Sequence, residues 1–234
     1  MVWGPRRIAA LAAAITLVSL LAIAQPAAAS PCPAGGCAAV VLRTASVDVQ
    51  TVTGNITLRG LTADNLNTES AEDIVGLGSS TQFGEIDAGM GVGQILNEQL
   101  GSYPHYYWVE YSDAVNEATN WGAAVTGHAI TTSISSAGGN NEWIASVDGH
   151  AAHSSDLIFD RNQGDIPDTG LESTGTAARG YGGIDSLEVT HEGTVYRWGP
   201  ARYDRVPSYA YVAYMNTPGW FRMALNCQFW EMCP

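Results

Sequence analysis

The tightest constraint on this chain is the brevity of its β-prone runs. Between Tyr106 and Ala224 the apolar and aromatic residues come in short stretches bounded by Gly, Asn or Asp. Tyr106 to Tyr111 reads YYWVEY, an aromatic run suited to a pleated surface. Ile130 to Ile134 (ITTSI) alternates, and Glu142 to Asp148 (EWIASVD) puts Trp143, Ala145 and Val147 on one face, the period-2 signature of a half-buried strand. Asp148-Gly149 predicts a hairpin turn leading toward Asp156 to Asp160 (DLIFD), and Glu192-Gly193 another between Ser186 to His191 and Thr194 to Trp198. Tyr209 to Met215 and Trp220 to Ala224 supply further strands. Only Gly91 to Leu100 (GVGQILNEQL) has helical character, and its glycines argue against a long helix. Short strands at turn-punctuated spacing predict an all-β fold, an antiparallel double-sheet β-sandwich.

The N-terminus has a different logic. MVWGPRRIAALAAAITLVSLLAIAQPAAAS carries Arg6 and Arg7, an apolar run from Ile8 to Ala24, and Ala27-Ala28-Ala29 as a small-residue cleavage site. It reads as a secretory signal peptide, residues 1–29, with cleavage after Ala29 and a single β-sandwich domain over 30–234. No later stretch approaches the roughly 20 apolar residues of a bilayer span. The expectation is an exported, extracellular monomer with no membrane contact after cleavage.

Charge narrows the partners. All ten basic residues are arginines and two lie in the signal peptide, leaving 8 against 23 acidic residues, 8 − 23 = −15 with His neutral. Such a surface repels phosphate backbones, which excludes nucleic acid as a natural partner. It nears neutrality only in acid, which suits work in an acidic medium. The four cysteines, Cys32, Cys37, Cys227 and Cys233, point in an exported chain to disulfides with three pairings open. Their C-x4-C and C-x5-C spacings are looser than those of zinc sites.

Motif chemistry is sparse. The chain has no GxSxG elbow, no HExxH, no P-loop and no GxGxxG after a strand. Asp148, His150, His153 and Asp156 have a spacing that could gather a metal, but the plainer reading is a solvated hairpin loop. Asp160, Asn162, Asp165 and Asp168 look like a calcium loop, yet Gly164 is fifth and Glu172 thirteenth where an EF-hand needs Gly sixth and Glu twelfth. Neither a metal nor another cofactor is expected. The third constellation is Asp87 and Glu172, set in IDAGM and GLEST, where small neighbours leave room for something to approach. Two carboxyl groups facing one another would push their pKa values apart, so that one holds a proton while the other activates water. The plainer alternative is a pair of ordinary strand carboxylates on the solvent face.

At this pair the chain resembles a known family. GEIDAGMGVGQILNEQLGSYPHYYWVEYSD is similar to the region of glutamic peptidases, of the scytalidoglutamic (eqolisin) and neprosin types, in which Gln or Glu precedes a small residue and Gly, followed by an aromatic strand ending in an acidic turn. Asp87 stands where that Gln or Glu stands, Tyr106 to Asp113 matches the aromatic strand, and GDIPDTGLESTGT resembles the segment holding the second catalytic Glu, here Glu172. The likeness spans Phe83 to Trp198. It implies a concanavalin-like jelly-roll sandwich with a cleft on its concave face. Glu172 would act as general base toward water and then as acid toward the leaving amine, with Asp87 steadying the oxyanion. The chain departs from the pattern at Asp87, which is one methylene shorter than Glu and donates a hydrogen bond only when protonated. No Trp lies between Cys37 and Gln82 to match the early oxyanion-supporting Trp of eqolisins.

Three functional readings follow. The first is a secreted acid-active endopeptidase-like hydrolase acting on peptide or protein through Asp87 and Glu172. In the second, a non-catalytic module binds polysaccharide or peptide through Tyr107, Trp108 and Glu110 of the aromatic strand. The third is a structural protein in which those aromatics are core.

Overall fold

The computed structural model describes residues 38–43, 49–79, 84–112, 116–137, 142–153, 166–175, 178–197, 202–206, 211–214 and 221–225. The signal peptide, the four cysteines, DLIFD, Asp156, Asp160, Asn162 and Asp165 lie outside them. The described residues form strands β1 (Ala38–Arg43), β2 (Thr51–Thr62), β3 (Ser70–Gly78), β4 (Gly84–Ile95), β5 (Glu98–Ser112), β6 (Asn116–Ala123), β7 (Ile130–Ser136), β8 (Trp143–Val147), β9 (His150–His153), β10 (Ile166–Ser173), β11 (Arg179–His191), β12 (Thr194–Arg197), β13 (Arg202–Val206), β14 (Tyr211–Tyr214) and β15 (Phe221–Leu225). They pair into a seven-stranded sheet, β13-β1-β10-β3-β4-β5-β6, and an eight-stranded sheet in which β14-β15-β11-β2-β7-β8-β9 run in order and β12 joins β11. Both are antiparallel, and the expected all-β sandwich is the architecture found.

Alternation explains how the sheets pack. In β2 the residues Val52, Ile56 and Leu58 are fully buried while Thr51, Thr53, Asn55 and Thr57 are partly exposed. The inward set meets Ile86, Ala88, Met90 and Val92 of β4 in one core. Removing each aliphatic side chain of this kind from water contributes about 1.5–3 kcal/mol. Trp143, Ala145 and Val147 face that core together, as their spacing predicts. Truncating the fully buried Trp143 to Ala would cost about 3–5 kcal/mol.

Both expected turns are present, the first leading into β9, while DLIFD lies outside the described residues. Asp148 (φ 48) and Gly149 (φ 84) join β8 to β9, and Glu192 (φ 47) and Gly193 (φ 75) join β11 to β12, the paired positive φ of a type I′ turn. The stretch with helical character is instead the β4–β5 hairpin, turning at Leu96 (φ 50) between Ile95 and Glu98. The reason is visible at Gly93 (φ 85), where a Cβ would collide with the Glu69 carbonyl oxygen; the glycine serves close backbone approach, not a helix. Asp168, expected in an acidic loop, is a position of β10 together with Glu172, in the interior of a sheet.

Candidate active site

The outer face of the seven-stranded sheet follows from register. Ile86 and Ala88 of β4 point into the core between the sheets, so Asp87 between them points out. Asp87 is level with Gly76 of β3, and Gly76 is level with Asp168 of β10. Residues opposite one another in an antiparallel pair share a face, so Asp87 and Asp168 flank a position with no side chain. A β-carbon on Gly76 would run into an oxygen of each. Four residues back along β3, Glu72 is level with Glu172, on the same face by the period of 2.

The two carboxylates singled out in the sequence are therefore on one face, but each has a nearer acidic neighbour: Asp168 beside Asp87, and Glu72 opposite Glu172. Sequence reasoning missed Glu72 because it did not identify β3 as a strand. Asp168 was considered only as part of a loop.

Burial sets the electrostatics. Asp87 is 6% exposed, Glu72 8% and Asp168 1%, whereas Glu172 and Glu85 are half-buried. Asp87 is pushed well above the usual carboxylate range, first by burial and then by the charges of Glu85, Asp168, Glu172 and Glu72. Its Oδ1 accepts no hydrogen bond among the described residues. Burial also raises Glu72, partly offset by hydrogen bonds from Ser70 and Tyr107; the Tyr107 hydroxyl donates to Glu72 Oε2 at 2.6 Å. Tyr107 and Tyr111 are themselves raised, by burial first and then by the neighbouring carboxylates, so both remain proton donors.

Oxygens of Glu85, Asp87 and Asp168 lie within 4.8 Å of one another. Like charges so close and so buried need a shared proton or a cation. Either would satisfy the cluster: three carboxylates offer up to six oxygens to a hard cation, and a proton shared between two of them removes one charge. Asp148, His150 and His153 gather no such group among the described residues. His150 stacks on Trp121 at 5.6 Å, and Asp148 accepts a hydrogen bond from the Tyr106 hydroxyl.

The aromatic strand divides between faces. Tyr107 belongs to the site face, though it is 1% exposed. Trp108 is level with Ala88 and Glu110 with Ile86, so both point into the sheet-to-sheet core and are 3% and 0% exposed. The expectation that Trp108 and Glu110 bind a ligand is corrected on that ground: the pleat turns them away from any surface. Tyr107 orients Glu72 and offers no open ring.

No protein-family model matches the chain, and no curated protein sequence matches it. Solved structures do. Scytalido-glutamic peptidase with a peptide-based transition state analog aligns at TM-score 0.52 and 10% identity over 81% of this chain and 98% of that one. The eqolisin-family peptidase SCP-B, in complex with the tripeptide Ala-Ile-His, aligns at TM-score 0.50 and 10% identity with the same coverage. At that identity the likeness is one of backbone architecture, extending over nearly the whole length of each peptidase. The chain has a glutamic peptidase-like β-sandwich fold.

Proposed function

We propose that the protein is an exported, acid-active endopeptidase-like hydrolase whose outer-face carboxyl groups activate water against a peptide bond. The observation that carries the reading is Asp87: a residue 6% exposed, its pKa raised well above the ordinary value, whose Oδ1 has no hydrogen-bond partner among the described residues, beside Asp168 on a glutamic peptidase-like fold. A short side chain in place of Gln or Glu is a handicap only if it is ionised. Held protonated, Asp87 is a hydrogen-bond donor toward the oxyanion of a tetrahedral intermediate.

Glu172, half-buried, is the group that water and substrate can reach. It takes the proton of the attacking water and returns it to the leaving amine. Asp168 and Glu72 supply the negative surroundings that keep protons on the face, and Tyr107 fixes Glu72. Protein substrates therefore suit the site in acid, when the buried Asp87 and Glu72 are protonated and an extended peptide meets little net charge.

The test is digestion of a denatured protein by the purified mature chain from pH 2 to 7, with Glu172→Gln beside it. Cleavage confined to acid and lost in Glu172→Gln supports the reading. Equal cleavage by the variant, or none at any pH from a folded protein, overturns it.

A further inference from the structure

The eight-stranded sheet carries a second feature on its own outer face, remote from the carboxylates. A groove of about 200 Å³ is lined by Thr57, Arg59, Tyr181, Gly183, Asp185 and Arg222, among others. Register explains why it exists. Gly183 of β11 is level with Thr57 of β2 on one side and Arg222 of β15 on the other, so the missing side chain leaves a floor between two walls. Tyr181 and Asp185 close the ends, two residues away along β11.

Three further observations mark it as a built site. The β11–β2 ladder slips at both ends of the groove. At one slip Tyr181 pairs with Gly60 and Gly182 with Leu58, leaving Arg59 as the extra residue; bulges of this kind re-aim side chains beside functional sites. The other slip contains Ser186 at φ 53, a left-handed conformation uncommon away from glycine and often found at ligand sites. Asp185 is also pre-oriented: Thr131 Oγ1 donates to Asn55 Oδ1 at 3.0 Å, and Asn55 Nδ2 donates to Asp185 Oδ1 at 2.9 Å.

The chemistry of the lining selects the ligand. In a chain of formal net charge −13, two arginines line one depression, and guanidinium forks fit carboxylate oxygens in pairs. Thr57 and Tyr181 contribute hydroxyl groups, and Asp185 accepts only, so the remaining groups suit hydroxyls rather than a second anion. The volume is below the roughly 300–1,000 Å³ of drug-sized pockets, which limits the occupant to one small unit. We infer that this groove binds a sugar acid, a single hydroxylated unit carrying one carboxylate, with Arg59 and Arg222 on the carboxylate and Asp185, Thr57 and Tyr181 on the hydroxyls. The site is separate from the carboxylates of the other sheet and independent of the peptidase reading.

The experiment titrates D-galacturonate and D-glucuronate into the mature chain at low ionic strength, followed by saturation-transfer NMR and calorimetry, with glucose and acetate as controls. Arg59→Gln, Arg222→Gln and Asp185→Asn are run in parallel; the two arginines are exposed, so their replacement leaves the core intact. Binding of a sugar acid at millimolar concentration, with glucose not bound and acetate bound more weakly, is expected. Each arginine replacement should weaken it about tenfold or more, and Asp185→Asn should reduce the preference over acetate. Binding of glucose as tight as that of the sugar acids, binding unchanged in both arginine variants, or no binding by the folded wild-type chain would each overturn the assignment.

Discussion

Asp87 and Asp168 face each other across Gly76, and the oxygens of both lean into the space a β-carbon on that glycine would fill. In most strands replacing Gly by Ala helps, because glycine loses more backbone freedom on folding. Here the sign reverses. Gly76→Ala must push two buried carboxyl groups apart within a packed sheet, at a cost of about 1–3 kcal/mol. Urea denaturation of the variant checks it; a gain in stability would mean the two groups do not converge as described.

Asp87→Asn separates the role of a proton donor from that of a charge. Burial and surrounding carboxylates raise the Asp87 pKa, so the protonated form persists to a higher pH than an ordinary aspartate would allow and is lost as pH rises through the folded value. An amide keeps its N–H at every pH. The variant should cleave more slowly at its optimum, by about tenfold, while the upper limb of its pH–rate profile moves to higher pH. A profile superimposable on the wild type would remove Asp87 from the mechanism.

The fold was largely legible and the site only in part, for one physical reason. Strands with one wet face announce themselves by alternation, and Trp143, Ala145 and Val147 were read correctly on that basis. In β3, SAEDIVGLG, all nine residues are buried, so the period-2 signal vanishes and the adjacent acids Glu72 and Asp73 look like a solvated turn. Asp87 stood out because small residues surround it, but nothing in the local sequence says which strand lies beside it, so Asp168 stayed in a loop. Trp108 and Glu110 were misassigned because an aromatic run on a strand inside a sheet offers alternate residues to opposite faces, and the sequence does not say which face is covered.

Tyr107→Phe tests the support of Glu72. The hydroxyl donates to a carboxyl group that burial already raises, and the bond favours the ionised form. Removing it raises the Glu72 pKa further, so the loss of stability is largest where Glu72 must ionise and shrinks in acid. Expected is a deficit of about 1–3 kcal/mol at pH 7 and a smaller one at pH 4, read from denaturant midpoints. A deficit equal at both would show that the ring's packing alone matters.

Asp73 is the sharper case, because it faces the sheet-to-sheet core. It is 0% exposed, neither carboxylate oxygen has a hydrogen-bond partner among the described residues, and a β-carbon on Gly182 of the opposite sheet would lie 2.6 Å from Oδ2. Burial raises its pKa well above the ordinary 3.8. The folded state then holds a proton that the unfolded chain releases, so this group's contribution is fully present below about pH 3.8 and declines as pH rises toward the folded value. Leucine nearly matches aspartate in shape and needs neither proton nor partner. Asp73→Leu should therefore be more stable than wild type at pH 7 by about 1–3 kcal/mol, with the advantage shrinking as pH falls to 4. Thermal and urea unfolding across that range decide it, and a variant less stable than wild type at pH 7 would show that Asp73 has a partner in the folded chain.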